Sequence, residues 1–275
     1  MSTFFHNALW IDRVVSVSGA TGTWRLVEKK YDRSETTSEE DAKMSSFAHF
    51  GLACFVVESV QHTHVRACLF VFLHLPYRET VNLPGRLRSA QAELYSPPPS
   101  PREELEGWLR LEAAAVGITS RLLGHQTVRQ GDEDPVPEGW GLYILVSEPP
   151  GVQLGNGINT RKGKHFCPEG IFWDFDKPTR DLIRQRFEQG CNALYDAGVN
   201  HCTRNLSGLY WDVERQKLHF HGHFVAVDVE KASPPTPFSV VDFGTYGLAK
   251  ISAYWRIKDR NTATVQELMD TGWNF

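Results

Sequence analysis

Long apolar runs are missing from this chain of 275 residues. The most apolar stretch, Ala67 to Pro76 (ACLFVFLHLP), is too short to span a bilayer and carries a histidine, so no membrane partner is expected. The opening MSTFFHNALW has no basic segment followed by an apolar one, and no secretory leader is expected. Cysteine pairs are missing as well. Cys54, Cys68, Cys167, Cys191 and Cys202 stand singly with no Cys-x-x-Cys, which points to reduced thiols in a cytoplasmic protein. Nor is there an excess of positive charge: 29 basic side chains face 33 acidic ones, for a net −4. No global field holds nucleic acid, and only a local basic patch such as Lys177, Arg180, Arg184 and Arg186 offers such a contact. Internal repeats are absent. What is present is an ordinary globular composition, 41% hydrophobic and 23% charged, long enough for one large domain or two small ones.

The first ninety or so residues read as β-rich. Arg13 to Val17 and Thr23 to Val27 flank the glycine-containing turn Ser18 to Gly22, which predicts a hairpin. Arg33 to Lys43 is polar and reads as a loop, whereas Phe55 to Val60 and Val65 to Leu75 read as buried strands. Tyr95 to Pro101, with four prolines, is expected to be extended. A helix follows to about Val116, with Ser100 as cap and Glu103 completing a capping box. Its face Leu105, Trp108, Leu109, Glu112 and Val116 places one carboxylate on an apolar stripe, either at its edge or in a buried ion pair. Two more strands are expected at Arg121 to Val128 and Gly141 to Val146. The second long helix, Lys177 to Ala197, has Asp176 as cap, an apolar face of Ile183, Phe187, Cys191 and Leu194, and Gly198 as its stop. Leu209 to Asp212 and Leu218 to Val229 then read as a strand pair.

Three histidines carry the densest chemistry. His219, His221 and His223 alternate on the last of these expected strands, so their side chains should leave one face. With His201 nearby they suit general acid–base work or ligand binding. With Asp212 or Asp228 as a carboxylate they suit a borderline metal such as zinc. Read plainly, they are hydrogen-bonded residues on a half-exposed strand. Neighbours two apart on a strand sit roughly 7 Å apart, too far for three of them to close on one ion.

Three patches together resemble a small fungal protein-kinase-like family. Glu103 to Gly124 (EELEGWLRLEAAAVGITSRLLG) is similar to the helix of the kinase small lobe leading into its next strand. Tyr143 to Leu154 (YILVSEPPGVQL) is similar to the last small-lobe strand running into the hinge. Asp181 to Asp212, with ALYDAGVNHCTRNLSGLYWD, resembles the long helix and catalytic loop of the large lobe. The resemblance implies an α+β, bilobal protein-kinase-like fold, with a small lobe over 1–146 and a truncated large lobe over 147–275. It also implies where the chemistry departs. His201 matches the catalytic-loop histidine, but Thr203 stands at the proton-accepting aspartate and Gly208 at the magnesium-binding asparagine. His221 stands at the metal-binding aspartate, although an Asp242-Phe243-Gly244 occurs later. His74 stands where a lysine would pair with the helix carboxylate, Glu112.

The resulting expectation is a catalytically degenerate kinase-like protein, not a conventional phosphotransferase. It would bind a small-molecule or aminoacyl-type ligand in the interlobe cleft through His219, His74, Thr203, Asp212 and Asp228, with His221, His223, His201 and Glu112 as the residues that would carry any catalysis. One alternative is a repurposed fungal biosynthetic enzyme on the same scaffold, for example an aminoacyl-tRNA-dependent cyclodipeptide synthase. Another is a metal-dependent enzyme built on the histidine strand. No cofactor is named by these residues.

Overall fold

The computed structural model describes residues 4–34, 36–44, 50–92, 99–227, 237–253 and 262–275. Asp228, Tyr95 to Pro98 and Ser233 to Thr236 lie outside the described residues. Two compact units are formed: residues 1–105 with 121–148, and residues 106–120 with 149–275.

The first unit is built on a six-stranded antiparallel sheet: β1 Val14–Ser16, β2 Thr23–Ser34, β3 Phe50–Ser59, β4 Arg66–His74, β5 Leu122–Arg129 and β6 Trp140–Ser147. Spatial order is β1-β2-β3-β4-β6-β5, so β6 slots between β4 and β5. The expected hairpin and both buried strands are found. Period two explains the core: Ala53, Phe55 and Val57 on β3 join Leu69, Val71 and Leu73 on β4 in one buried cluster with Trp24 and Leu26. The alternate residues Val56, Phe70 and Ile144 are buried as well, which is why these strands read as continuous apolar runs.

Two segments of this region differ from the sequence reading. The polar stretch expected as a loop continues β2 to Ser34 and then forms a short helix, Glu39–Met44. Polar alternation along an edge-proximal strand looks like a loop because half of its side chains face water. The helix expected to begin at Pro101 begins two residues earlier, as Pro99–Ala113. The first turn needs no intrahelical N–H donors, so Pro99 and Pro101 are tolerated there, and Ser100 lies inside the helix rather than capping it.

The buried side of this helix is Pro101, Glu104, Gly107, Trp108 and Leu111, rotated from the expected stripe. Gly107 faces the Phe224 carbonyl so closely that a Cβ would overlap it, and Trp108 meets the Phe224 ring edge-on at 4.7 Å. That approach turns Leu109 and Glu112 outward. Glu112 is exposed, and the carboxylate buried on this helix is Glu104.

In the second unit the long helix Lys177–Asp196 forms as expected. Asp176 Oδ1 accepts the Thr179 N–H at 2.9 Å, and Gly198, at φ +67°, ends it. Three small sheets accompany it. β7 Val152–Gln153 pairs with β11 Leu209–Asp212, which pairs with β12 Lys217–Phe220. β8 Asn159–Lys162 and β9 His165–Pro168 pair, with β14 Ile251–Ser252 on the far side of β9. β10 Val199–His201 pairs with β13 Phe224–Ala226. The packing centre is aromatic: Phe187 stacks on Phe220 at 5.6 Å and meets Tyr246 at 4.6 Å, while Gly190 lets the Phe220 ring lie against the helix backbone.

The strand expected from Leu218 to Val229 is two strands. β12 stops at Phe220, Gly222 takes φ +116°, and β13 enters a different sheet. Only glycine adopts that backbone without strain, and a Cβ there would overlap the Thr203 hydroxyl.

Candidate functional site

The break at Gly222 sorts the histidines. Register pairs Tyr210 with His219 and Asp212 with Lys217, so alternation places these four on one face. Leu209, Trp211, Leu218 and Phe220 occupy the other, buried face. Gln153 of β7, opposite Tyr210, extends the polar face. Just beyond β12, His221 meets the Tyr210 ring edge-on at 5.6 Å. His223, past the glycine, does not join them.

His221 is held by groups remote in sequence. Its backbone N–H donates to the Gly208 carbonyl at 2.9 Å, and its Nδ1 lies 3.1 Å from the Ser120 hydroxyl. Ser120 arrives because the segment after the helix docks against β12: Phe220 N–H donates to the Ile118 carbonyl at 2.8 Å. Ser120 and His221 are both buried. A hydroxyl on an imidazole nitrogen can pass a proton between them.

His219 is different. It is only 6% exposed, yet neither ring nitrogen has a partner among the described residues. Burial, with Lys217 nearby, depresses its pKa. It is therefore a neutral imidazole with one donor and one acceptor to offer. Asp212 is already engaged, accepting from Arg215 N–H at 3.0 Å and Arg215 Nη1 at 2.9 Å, and these bonds hold its carboxyl below the usual range.

His201 is structural in its surroundings, ringed by Phe220, Phe224 and Tyr246. Its Nε2 lies 2.9 Å from the His221 carbonyl, which can only accept, so the proton sits on Nε2. Nδ1 is left facing the Tyr246 hydroxyl at 3.2 Å. Burial drives its pKa down to about 3, and the ring is neutral near pH 7.

Thr203 Oγ1 accepts the His223 N–H at 3.0 Å, which ties the loop closed over Gly222. Gly208 packs on the Thr203 carbonyl and the His201 ring. Asp242 lies on the short helix Asp242–Thr245, where its Oδ2 accepts the Ser239 N–H at 2.9 Å. His74 belongs to the first unit, buried and stacked on Trp140 at 5.9 Å.

The structure thus brings His201, Thr203, His221 and His223 into one loop cluster and His219 and Asp212 onto one sheet face, with His221 just beyond its strand. Glu112 stands apart on an exposed helix face. Ser120 and Tyr246 were missed by sequence reasoning, since neither sits in a motif and Ser120 is 101 residues from His221. Within the helix-end basic patch, Lys177 and Arg184 both bind Asp181 at 2.7 Å, Arg186 donates to Gln189 at 2.9 Å, and Arg180 lies over the Trp173 ring at 5.1 Å. Among the described residues no group of His, Cys, Asp and Glu side chains is disposed to hold a metal ion. No helix among them is long and apolar enough to cross a membrane.

No protein-family model and no curated protein matches this chain. Among solved structures, the chain is similar to the PK-1 kinase of the Cydia pomonella granulovirus, with 9% identity and a TM-score of 0.33. The match covers 70% of this chain and 50% of the viral one, so the chain spans about half the length of that kinase.

Proposed function

We propose that this is a kinase-like protein that binds a ligand on its histidine face and does not transfer phosphate. Support for the scaffold is the element order: a helix lies between β4 and β5, β6 slots between those strands, and a long helix precedes the His201 loop. Support for lost phosphotransfer comes from the three family positions. Thr203 engages the His223 N–H, Gly208 has no ligand atom, and His221 engages Ser120. Phosphoryl transfer needs a carboxylate to orient the nucleophile and oxygen ligands for magnesium, and these positions supply neither.

Binding rests on one observation, the buried His219 with both ring nitrogens unpartnered among the described residues. Such a group costs about 1–3 kcal/mol unless a partner satisfies it. A neutral imidazole calls for a partner that both donates and accepts, so the ligand carries a hydroxyl or amide. Thermal-shift titration tests this, using ATP with and without magnesium against a panel of amino acids, amides and polyols. We expect no magnesium-dependent ATP shift and a shift from an amide or hydroxyl compound. His219→Leu should abolish that shift while raising the unliganded midpoint, because it removes an unsatisfied buried group. Magnesium-dependent stabilisation by ATP, or a lowered midpoint in His219→Leu, overturns the reading.

A second reading, acyl transfer, rests on the Ser120–His221 contact of 3.1 Å. Labelling by a fluorophosphonate probe that disappears in Ser120→Ala would favour it. An unlabelled wild-type chain removes it.

A further inference from the structure

A second candidate cavity lies elsewhere in the second unit. It is an open cleft of about 630 Å3 between the long helix and residues 265–275, a volume in the range of small-molecule sites. Its walls are apolar and aromatic, with Phe243, Trp273, Phe275, Val265 and Met269. Val265 and Met269 are exposed at 38% and 49%, far more than a finished core would leave them.

One wall is a buried cation. Arg184, 5% exposed, donates Nε to the Leu248 carbonyl at 2.8 Å and Nη1 to Asp181 at 2.7 Å. Its Nη2 has no partner among the described residues. The guanidinium lies over the Phe172 ring at 5.4 Å and the Phe275 ring at 5.7 Å, so the plane of its fork is set by packing. Asp181 is shared with Lys177, whose Nζ sits 2.7 Å away, and Lys177 and Asp181 also line the cavity. Lys177 and Arg184 thus share a single aspartate, Asp181. Arginine presents a planar donor fork that matches a carboxylate.

We infer that this cavity is a binding site for a small aromatic carboxylate, its ring among Phe243, Trp273 and Met269 and its carboxylate on Arg184. The site shares no residue with the histidine face and does not depend on the reading given above.

Isothermal titration of the full chain with 1-naphthylacetate, 1-naphthylacetamide and inorganic phosphate tests it. The carboxylate should bind saturably, the neutral amide at least tenfold more weakly, and phosphate should not compete at equal concentration. Met269→Trp, which fills the mouth without touching Arg184, should abolish binding and leave the unfolding midpoint within a degree or so of wild type. Arg184→Lys, where it folds, should weaken the carboxylate at least tenfold and leave the amide unchanged. His219→Leu should bind naphthylacetate like wild type. Equal binding of acid and amide, no binding of the acid, phosphate binding in its place, or unchanged binding in Met269→Trp overturns the proposal.

Discussion

The sheet of the first unit and the histidine loops of the second are built on opposite terms. In the sheet, neighbours in space are mostly neighbours in sequence: β2, β3 and β4 form a meander, and their alternation alone assigns each side chain to a face. In the loops, contacts join segments far apart. Ser120 meets His221, Arg110 donates to the Gly198 carbonyl at 3.2 Å and to that of Val227 at 3.0 Å, and glycines hold the backbones close. The difference shows where tolerance lies. A sheet spreads its stability over many similar apolar contacts, whereas the loops concentrate theirs in a few positions that admit one residue type.

Substitution should expose that concentration. Phe220→Ala removes a ring packed by Phe187 and His201, and is expected to cost about 3–5 kcal/mol in urea unfolding. A loss under about 1 kcal/mol would mean that the aromatic centre repacks and the contrast with the sheet is false. Gly222→Ala should cost roughly 2–4 kcal/mol, because strain at φ +116° adds to overlap with Thr203. A near-neutral result would show that the loop has room to move.

Acid sharpens the comparison further. His201 binds its proton near pH 6.5 when unfolded and only at about pH 3 when folded. The unfolded state therefore holds more protons between these values, and stability falls as pH drops below 6.5. The slope is at most about 1.4 kcal/mol per pH unit, or roughly 2 kcal/mol lost by pH 5. His201→Phe should flatten this limb in a pH series of urea unfolding curves. An unchanged slope would assign the acid sensitivity to other groups.

Polar anchoring in the two units should give the smallest effects. Gln130, in the first unit, is buried and donates to the His74 and Trp140 carbonyls at 2.8 and 2.9 Å while accepting from Val136 N–H at 2.9 Å. Gln130→Ala should cost about 1–3 kcal/mol. Glu112→Gln, on an exposed face, should stay within about 0.5 kcal/mol by the same unfolding assay. A larger loss at Glu112 would place that carboxylate in a bond the fold depends on.

The histidine loop cluster, a candidate site, was legible in its residues and not in its arrangement. His201, Thr203, His221 and His223 are visible as polar side chains beside glycines, and they do gather in one loop cluster. The expected common face for three histidines fails at Gly222, because an alternating pattern carries no mark of where the backbone turns. Glu112 takes the edge position rather than the buried one for a similar reason. Helical periodicity locates a stripe only to within a residue, and a close approach at Gly107 rotated the buried side to Glu104.

Taken by itself, the sequence determined most strands of the first sheet, though not how far β2 extends, and the long helix between its Asp176 cap and its Gly198 stop. These are local matters of alternation, capping and permitted φ, settled within a few residues. Tertiary structure decided the rest: which helix carboxylate is buried, that Ser120 reaches His221, that His219 and Arg184 keep unpartnered nitrogens, and that a cavity opens beside Arg184. Each depends on segments separated by tens of residues meeting at one place, and no short-range pattern encodes that meeting.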